Sequence, residues 1–174
     1  MSGLATQRLT LRLLDEGDAG DAALYTHLYT DPAVMACVAA PLSADAAARA
    51  FAATCRHNRA ARPGHRAWRI DGEVHEGGLG IAALRRTGDR AEIGVMLRQL
   101  RWGQGIAREA LVAVLAHAFD DMALALVYGE RPDDAQARLV DRMFAPLGLL
   151  RVPGRTPPDQ ARWELPRSRW KAAG

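Results

Sequence analysis

The seven residues Arg101-Trp102-Gly103-Gln104-Gly105-Ile106-Ala107 carry the strongest chemical signal in this chain. They stand between an alternating apolar segment that ends near Leu97 and a helical pattern that opens near Gly105. The first turn of a helix presents backbone N–H groups with no intrahelical partner, at the positive end of the aligned peptide dipoles. Glycines there let an anion approach the backbone with no Cβ in the way, so a pyrophosphate is the expected class of ligand. Two other phosphate loops are excluded: the Gly-Lys-Ser/Thr of a nucleotide hydrolase is absent, and Arg108 stands where a dinucleotide fingerprint needs a third glycine. By spacing alone, a tight turn without a ligand fits the same residues equally well.

Just upstream, the segment 91–97 puts Ile93, Val95 and Leu97 on one face of a strand and Glu92, Gly94 and Met96 on the other. A mid-strand glycine such as Gly94 permits close approach of a ligand or marks a bulge. His27, His57, His65, His75 and His117 form no Ser/Cys-His-Asp pattern, which leaves a hydrolase reading without support. Cys37 and Cys55 lie far apart without paired-ligand spacing, so they read as small hydrophobes, and neither a disulfide framework nor a metal site is expected.

The elements that must position these groups follow from periodicity. Gln7–Leu13 alternates as a strand, Asp18 can cap a helix carrying Asp21, Leu24 and Leu28 that ends before Asp31-Pro32, and Ser43 can cap a second helix aligning Ala47, Phe51 and Cys55. Trp68, Ile70, Val74, Leu79, Ile81, Val95 and Leu97 then fall in short runs separated by glycine turns, as in a three-stranded antiparallel meander. Past the glycine loop come a helix with Ala107, Leu111, Val114 and Ala118 on one face, the apolar run Leu124 to Val127, and a helix with Leu139, Val140, Met143 and Phe144. Pro153, Pro157 and Pro158 leave room for short strands at Leu149–Val152 and around Trp163–Leu165. The order β-αα-βββ-α-β-α-ββ defines one mixed α/β domain of the α+β type, residues 1–174, with a largely antiparallel sheet of about seven strands and about four helices.

With 174 residues, 49% hydrophobic and 25% charged, the chain can bury one substantial core. No apolar run is long enough to span a bilayer and no secretory leader pattern opens the chain, so a cytoplasmic location and no membrane partner are expected. The net charge of +3 and pI near 9.3 come almost wholly from arginines scattered along the chain, Lys171 being the one lysine. Without basic and aromatic residues interleaved, a nucleic-acid partner is disfavoured.

Ala91-Glu92-Ile93-Gly94-Val95-Met96-Leu97 followed by Trp102 to Leu111 resembles the acetyl-CoA-binding segment of the GNAT acetyltransferases. Thr6 to Arg12 and Tyr29 to Met35 resemble the branch that includes ribosomal-protein N-terminal acetyltransferases, so the likeness runs over residues 6–152. It departs in two places. Leu100 stands where the family loop usually begins with Gln or Arg, and Arg131 to Ala137 lacks the Asn and Ser common after the fifth strand of that family.

The resemblance implies acetyl-CoA as co-substrate, no metal, and a primary amine as acceptor, either a protein N-terminus or a small amine. It implies that residues 101–107 hold the pyrophosphate, that backbone groups of Met96, Leu97 and Arg98 hold the pantetheine arm, and that residues 25–45 and 155–159 line the acceptor side. Glu92 is then the candidate base, and reads equally as the solvated residue of a half-buried strand. Tyr128 is a candidate general acid by location, with a core aromatic as the competing reading. Trp102 reads as packing beneath the loop rather than stacking on adenine, and Asp133 or Asp134 as a helix cap or an ammonium ligand. A catalytically idle acyl-CoA-binding module and a toxin-like acetyltransferase of aminoacyl-tRNA are the alternatives. A homodimer is the expectation for this branch.

Overall fold

The computed structural model describes residues 3–61, 64–73, 77–153 and 159–171. Val74, His75, Pro157, Pro158 and most of the expected 155–159 acceptor loop lie outside them. The chain opens with a two-residue strand β1 (Leu4–Ala5) and β2 (Leu9–Leu13), in which Leu9 and Leu11 point inward and Thr10 outward. Helix α1 (Ala19–Thr30) starts where the Asp18 carboxylate accepts from the amides of Gly20 and Asp21, and it buries Leu24, Tyr25 and Leu28. Asp31 closes α1 and caps α2 (Pro32–Met35), so the Asp-Pro pair begins a separate helical turn rather than only ending a helix. Ser43 caps α3 (Ala44–Arg59), whose buried face carries Ala47, Phe51 and Cys55.

The meander follows as β3 (His65–Gly72), β4 (Gly80–Thr87) and β5 (Arg90–Leu97). Helix α4 (Ile106–Ala116) runs on through a wider turn at residues 117–121, and then come β6 (Leu126–Pro132), α5 (Ala137–Phe144), β7 (Leu150–Arg151) and β8 (Gln160–Pro166). The strands form one sheet in the order β1-β2-β3-β4-β5-β6-β8-β7, antiparallel except where β5 meets β6. Neighbouring residues of one strand feed different cores: Trp68 and Ala82 pack with α4 and α5 residues, Ala67 and Ile81 with α1 and α3. The sheet therefore separates two apolar layers, α4–α5 on one face and α1–α3 on the other.

Two boundaries differ from the periodic reading. Gln7 and Arg8 leave the expected first strand because Thr6 and Arg8 bond to Glu109 in the first turn of α4. The expected strand 149–152 shrinks to two residues because Gly148 turns the chain with φ of 84° on one side and Pro153 follows on the other. Between helix α1 and the sheet lies a fully buried carboxylate, Asp21, held by Arg12 at 2.7 Å and Arg69 at 3.1 Å.

Candidate active site

The parallel ladder between β5 and β6 is short. Arg90 pairs with Leu126, Ala91 with Val127 and Glu92 with Tyr128, and there it stops. Past that point β5 keeps only β4 and β6 keeps only β8, so the two strands part. Backbone polar groups along one edge of residues 93–97 are thereby left for a partner other than a strand. The parting is supported from one side by Phe144 of α5, whose ring packs so closely on Gly129 that a Cβ there would lie 2.5 Å from it. On β5, by contrast, a Cβ at Gly94 would meet nothing within 4 Å. A cavity of about 640 Å³ occupies the gap, a size typical of small-molecule sites.

One end of the cavity is the glycine loop. Gly103 and Gly105 adopt φ of 74° and 75°, the left-handed conformation that disfavours residues bearing a Cβ. Gly105 occupies the cap position of α4 and offers no side-chain acceptor, so the first-turn amides are not consumed by a cap. The loop is fixed from outside: the Trp102 indole donates to the Leu97 carbonyl at 3.0 Å, Gln104 Nε2 donates to the Leu100 carbonyl at 3.0 Å, and Arg8 donates to the Gln104 carbonyl. Trp102 is thus tied to the end of β5 while 43% of it stays exposed. Desolvation pushes the Glu109 carboxyl up, but the hydrogen bonds from Thr6 and Arg8 and the Arg8 charge together hold it below its ordinary range.

Met96, Leu97 and residues 101–107 all line the cavity, and Arg108 joins them. Arg98 does not, because its guanidinium is turned to the carbonyls of Gly77 and Gly78. The opposite end of the cavity is built by Tyr29, Val34, Cys37 and Val38, within the stretch 25–45 expected to face the acceptor.

Glu92 opens into the cavity on the same face of β5 as Gly94 and Met96. It makes no hydrogen bond or ion pair among the described residues. Burial pushes its carboxyl above the usual range and Glu130 adds to this, while Arg85 and Arg162 pull the other way. Tyr128 sits beside it across the strand pair but does not line the cavity, and the Arg162 guanidinium lies 3.8 Å from its ring centroid. Asp133 and Asp134 also stay out of the cavity: Asp133 pairs with Arg151, and Asp134 accepts from the amides of Gln136 and Ala137 ahead of α5 and from Arg131.

Three lining residues escaped the sequence reading. Glu130 enters the cavity with its carboxylate engaged by Arg162. Arg131 donates to the Cys37 carbonyl at 2.6 Å and so straps the acceptor-side loop to β6. Gln136, in the stretch lacking the family's Asn and Ser, lines the cavity and has a buried Oε1 without a hydrogen-bond partner. Alternation sends the adjacent Glu130 and Arg131 to opposite faces of β6 and so does not bring them together, and nothing in the sequence marks Gln136. Burial also pushes the Cys55 thiol up to about 11, which keeps it an inert core residue. Among the described residues no group of His, Cys, Asp and Glu could hold a metal ion, and no helix is long and apolar enough to cross a membrane.

Comparison with known proteins agrees with this architecture. Residues 8–142 match the family model described as an acetyltransferase (GNAT) domain. A solved acetyltransferase from Agrobacterium tumefaciens superposes with a TM-score of 0.78 at 25% identity, covering 95% of this chain and 94% of the other. A protein provisionally named a ribosomal-protein-serine acetyltransferase, from Vibrio cholerae, superposes with a TM-score of 0.73 at 20% identity, over 95% and 97% of the two chains. The spermidine N-acetyltransferase of Vibrio cholerae, solved with CoA and spermine, gives 0.72 at 17% identity over 94% and 98%. No curated protein matches by sequence. Fold and site define an acyltransferase architecture, and the chain belongs to the GNAT acetyltransferase family.

Proposed function

We propose that this enzyme moves the acetyl group of acetyl-CoA onto a primary amine by direct attack within a ternary complex, with Glu92 as the base. One observation carries the reading: an uncapped, glycine-opened helix N-terminus and an unpaired carboxylate open onto a single cavity that passes between β5 and β6.

The residues present fit acetyl-CoA. The first-turn amides of α4 suit the pyrophosphate, with Arg101 and Arg108 adding positive charge from the lining. The edge of β5 at residues 93–97 supplies amides and carbonyls at the spacing an extended amide-bearing arm can pair with, as an added strand would. The buried Oε1 of Gln136 gains a donor from such an arm. Acetyl-CoA supplies the activated acetyl group and a thiolate leaving group, and because thiols are far more acidic than amines (cysteine about 8.5, lysine about 10.4), a side-chain acid is not essential.

The protein's share of the work is position and proton removal. Backbone N–H groups on the edge of β5 that β6 leaves unpaired, near Leu97, would stabilise charge developing on the thioester oxygen. Glu92, with its affinity for protons raised by burial, attracts the acceptor ammonium and takes its proton directly or through water. Calorimetry with acetyl-CoA and amine-dependent thiol release test this: Glu92→Gln should bind acetyl-CoA as the wild type does and lose turnover by roughly 10²–10⁴-fold. Turnover unchanged in Glu92→Gln would remove the base from the mechanism.

A further inference from the structure

The sheet divides the cavity by chemistry. On the α4–α5 face lie the glycine loop and its arginines, suited to a charged ligand. On the α1–α3 face the wall is Tyr29, Val34, Val38, Ile81, Ala83 and Met96, all apolar or aromatic. Tyr29 stacks on Tyr25 with ring centroids 4.2 Å apart, and burial pushes its hydroxyl far above the ordinary range, so this wall carries no titrating charge near neutral pH.

The charges that reach the cavity on this side are nearly all spoken for. Glu130 is engaged by Arg162, which also holds Glu164 at 2.7 Å. Arg131 is engaged by the Cys37 carbonyl and by both oxygens of Asp134. Glu92 alone among the described acidic lining residues makes no ion pair or hydrogen bond. Among the described residues, a ligand entering here finds one open negative charge beside an apolar wall. A second ammonium would have to displace Arg162 from Glu130 or lose its water against valine, isoleucine and methionine, and an unpaired charge in such surroundings is costly.

We infer that the acceptor is an amine with a single ammonium carried on an apolar body, and that polyamines are poor substrates. This rests on the acetyltransferase reading and narrows it to a class: an alkyl or arylalkyl amine, or the α-amine of a peptide that opens with an apolar residue. Val38, 50% exposed at the mouth of the cavity, is the wall residue that can be changed with least disturbance of the core.

The test is thiol release at saturating acetyl-CoA from 2-phenylethylamine, a short peptide with an N-terminal leucine, and spermidine, in the wild type and in Val38→Glu. A thermal melt of each protein confirms folding. The apolar amine or the peptide should exceed spermidine in kcat/KM by about tenfold or more, and Val38→Glu should cut that advantage by about tenfold, with acetyl-CoA affinity unchanged. Preference for the peptide over the small amine assigns a protein N-terminus, and the reverse a small molecule. Spermidine used as well as the apolar acceptors, or Val38→Glu leaving their ranking intact, overturns this inference while the acetyltransferase reading stands. Acetyl-CoA binding without thiol release from any amine contradicts both.

Discussion

Glu92 is subject to opposing influences, and if it is the base, as we propose, their balance sets the pH dependence of the reaction. Burial and Glu130 raise its proton affinity above the ordinary value of 4.5, while Arg85 and Arg162 lower it, the net being upward. A base must be deprotonated to act, so kcat/KM should fall as pH drops through a limb lying above 4.5, and Glu92→Gln should abolish that limb along with most of the activity. A pH-rate profile of both proteins with one amine reads this directly. Gln136 makes a second prediction at the same scale. Its orphaned Oε1 stabilises nothing in the free protein, so Gln136→Leu should weaken acetyl-CoA binding several-fold without lowering the melting temperature of the unliganded chain. Glu92 was legible in the sequence because strand alternation fixes which way a residue points. Gln136 was not, because it matters only once α5 has been docked beside the cavity.

At the scale of elements, the glycine loop works through backbone conformation. Gly105 holds φ of 75° at the start of α4, so Gly105→Glu combines backbone strain of about 1–2 kcal/mol with a carboxylate at the proposed pyrophosphate site. The variant should fold and fail to bind acetyl-CoA in calorimetry, and normal binding would relocate the phosphate site. Helix α1 depends on a different device. Asp21 is fully buried between Arg12 and Arg69, and Asp21→Asn should cost about 3 kcal/mol in denaturant unfolding, since the arginines lose their shared anion. The caps at Asp18 and Ser43 and the loop itself could be read from sequence, because each is a local pattern of side chain against backbone. The diversion of Thr6 and Arg8 to Glu109 could not, because it joins residues about a hundred positions apart.

For the molecule as a whole, the order of elements followed from periodicity and turn residues, and the family resemblance agrees with it. What periodicity does not contain is where two strands stop pairing. Glu92 and Tyr128 still face each other across β5 and β6, and the residues beyond them part. That parting opens a cavity lined from both faces of the sheet, with the glycine loop on one side and residues 29–38 on the other. Tyr128, adjacent to Glu92 in register, stays outside the cavity with its ring covered by Arg162. Part of the positive charge behind the net +3 is balanced locally, with Arg12, Arg59, Arg69, Arg131, Arg151 and Arg162 each paired with a carboxylate. The most direct test of the central claim is acetyl-CoA calorimetry combined with amine-dependent thiol release, on the wild type and on Glu92→Gln. Binding is expected in both proteins and thiol release in the wild type alone; absence of acetyl-CoA binding, or equal turnover in the two, would contradict acetyl transfer with Glu92 as base.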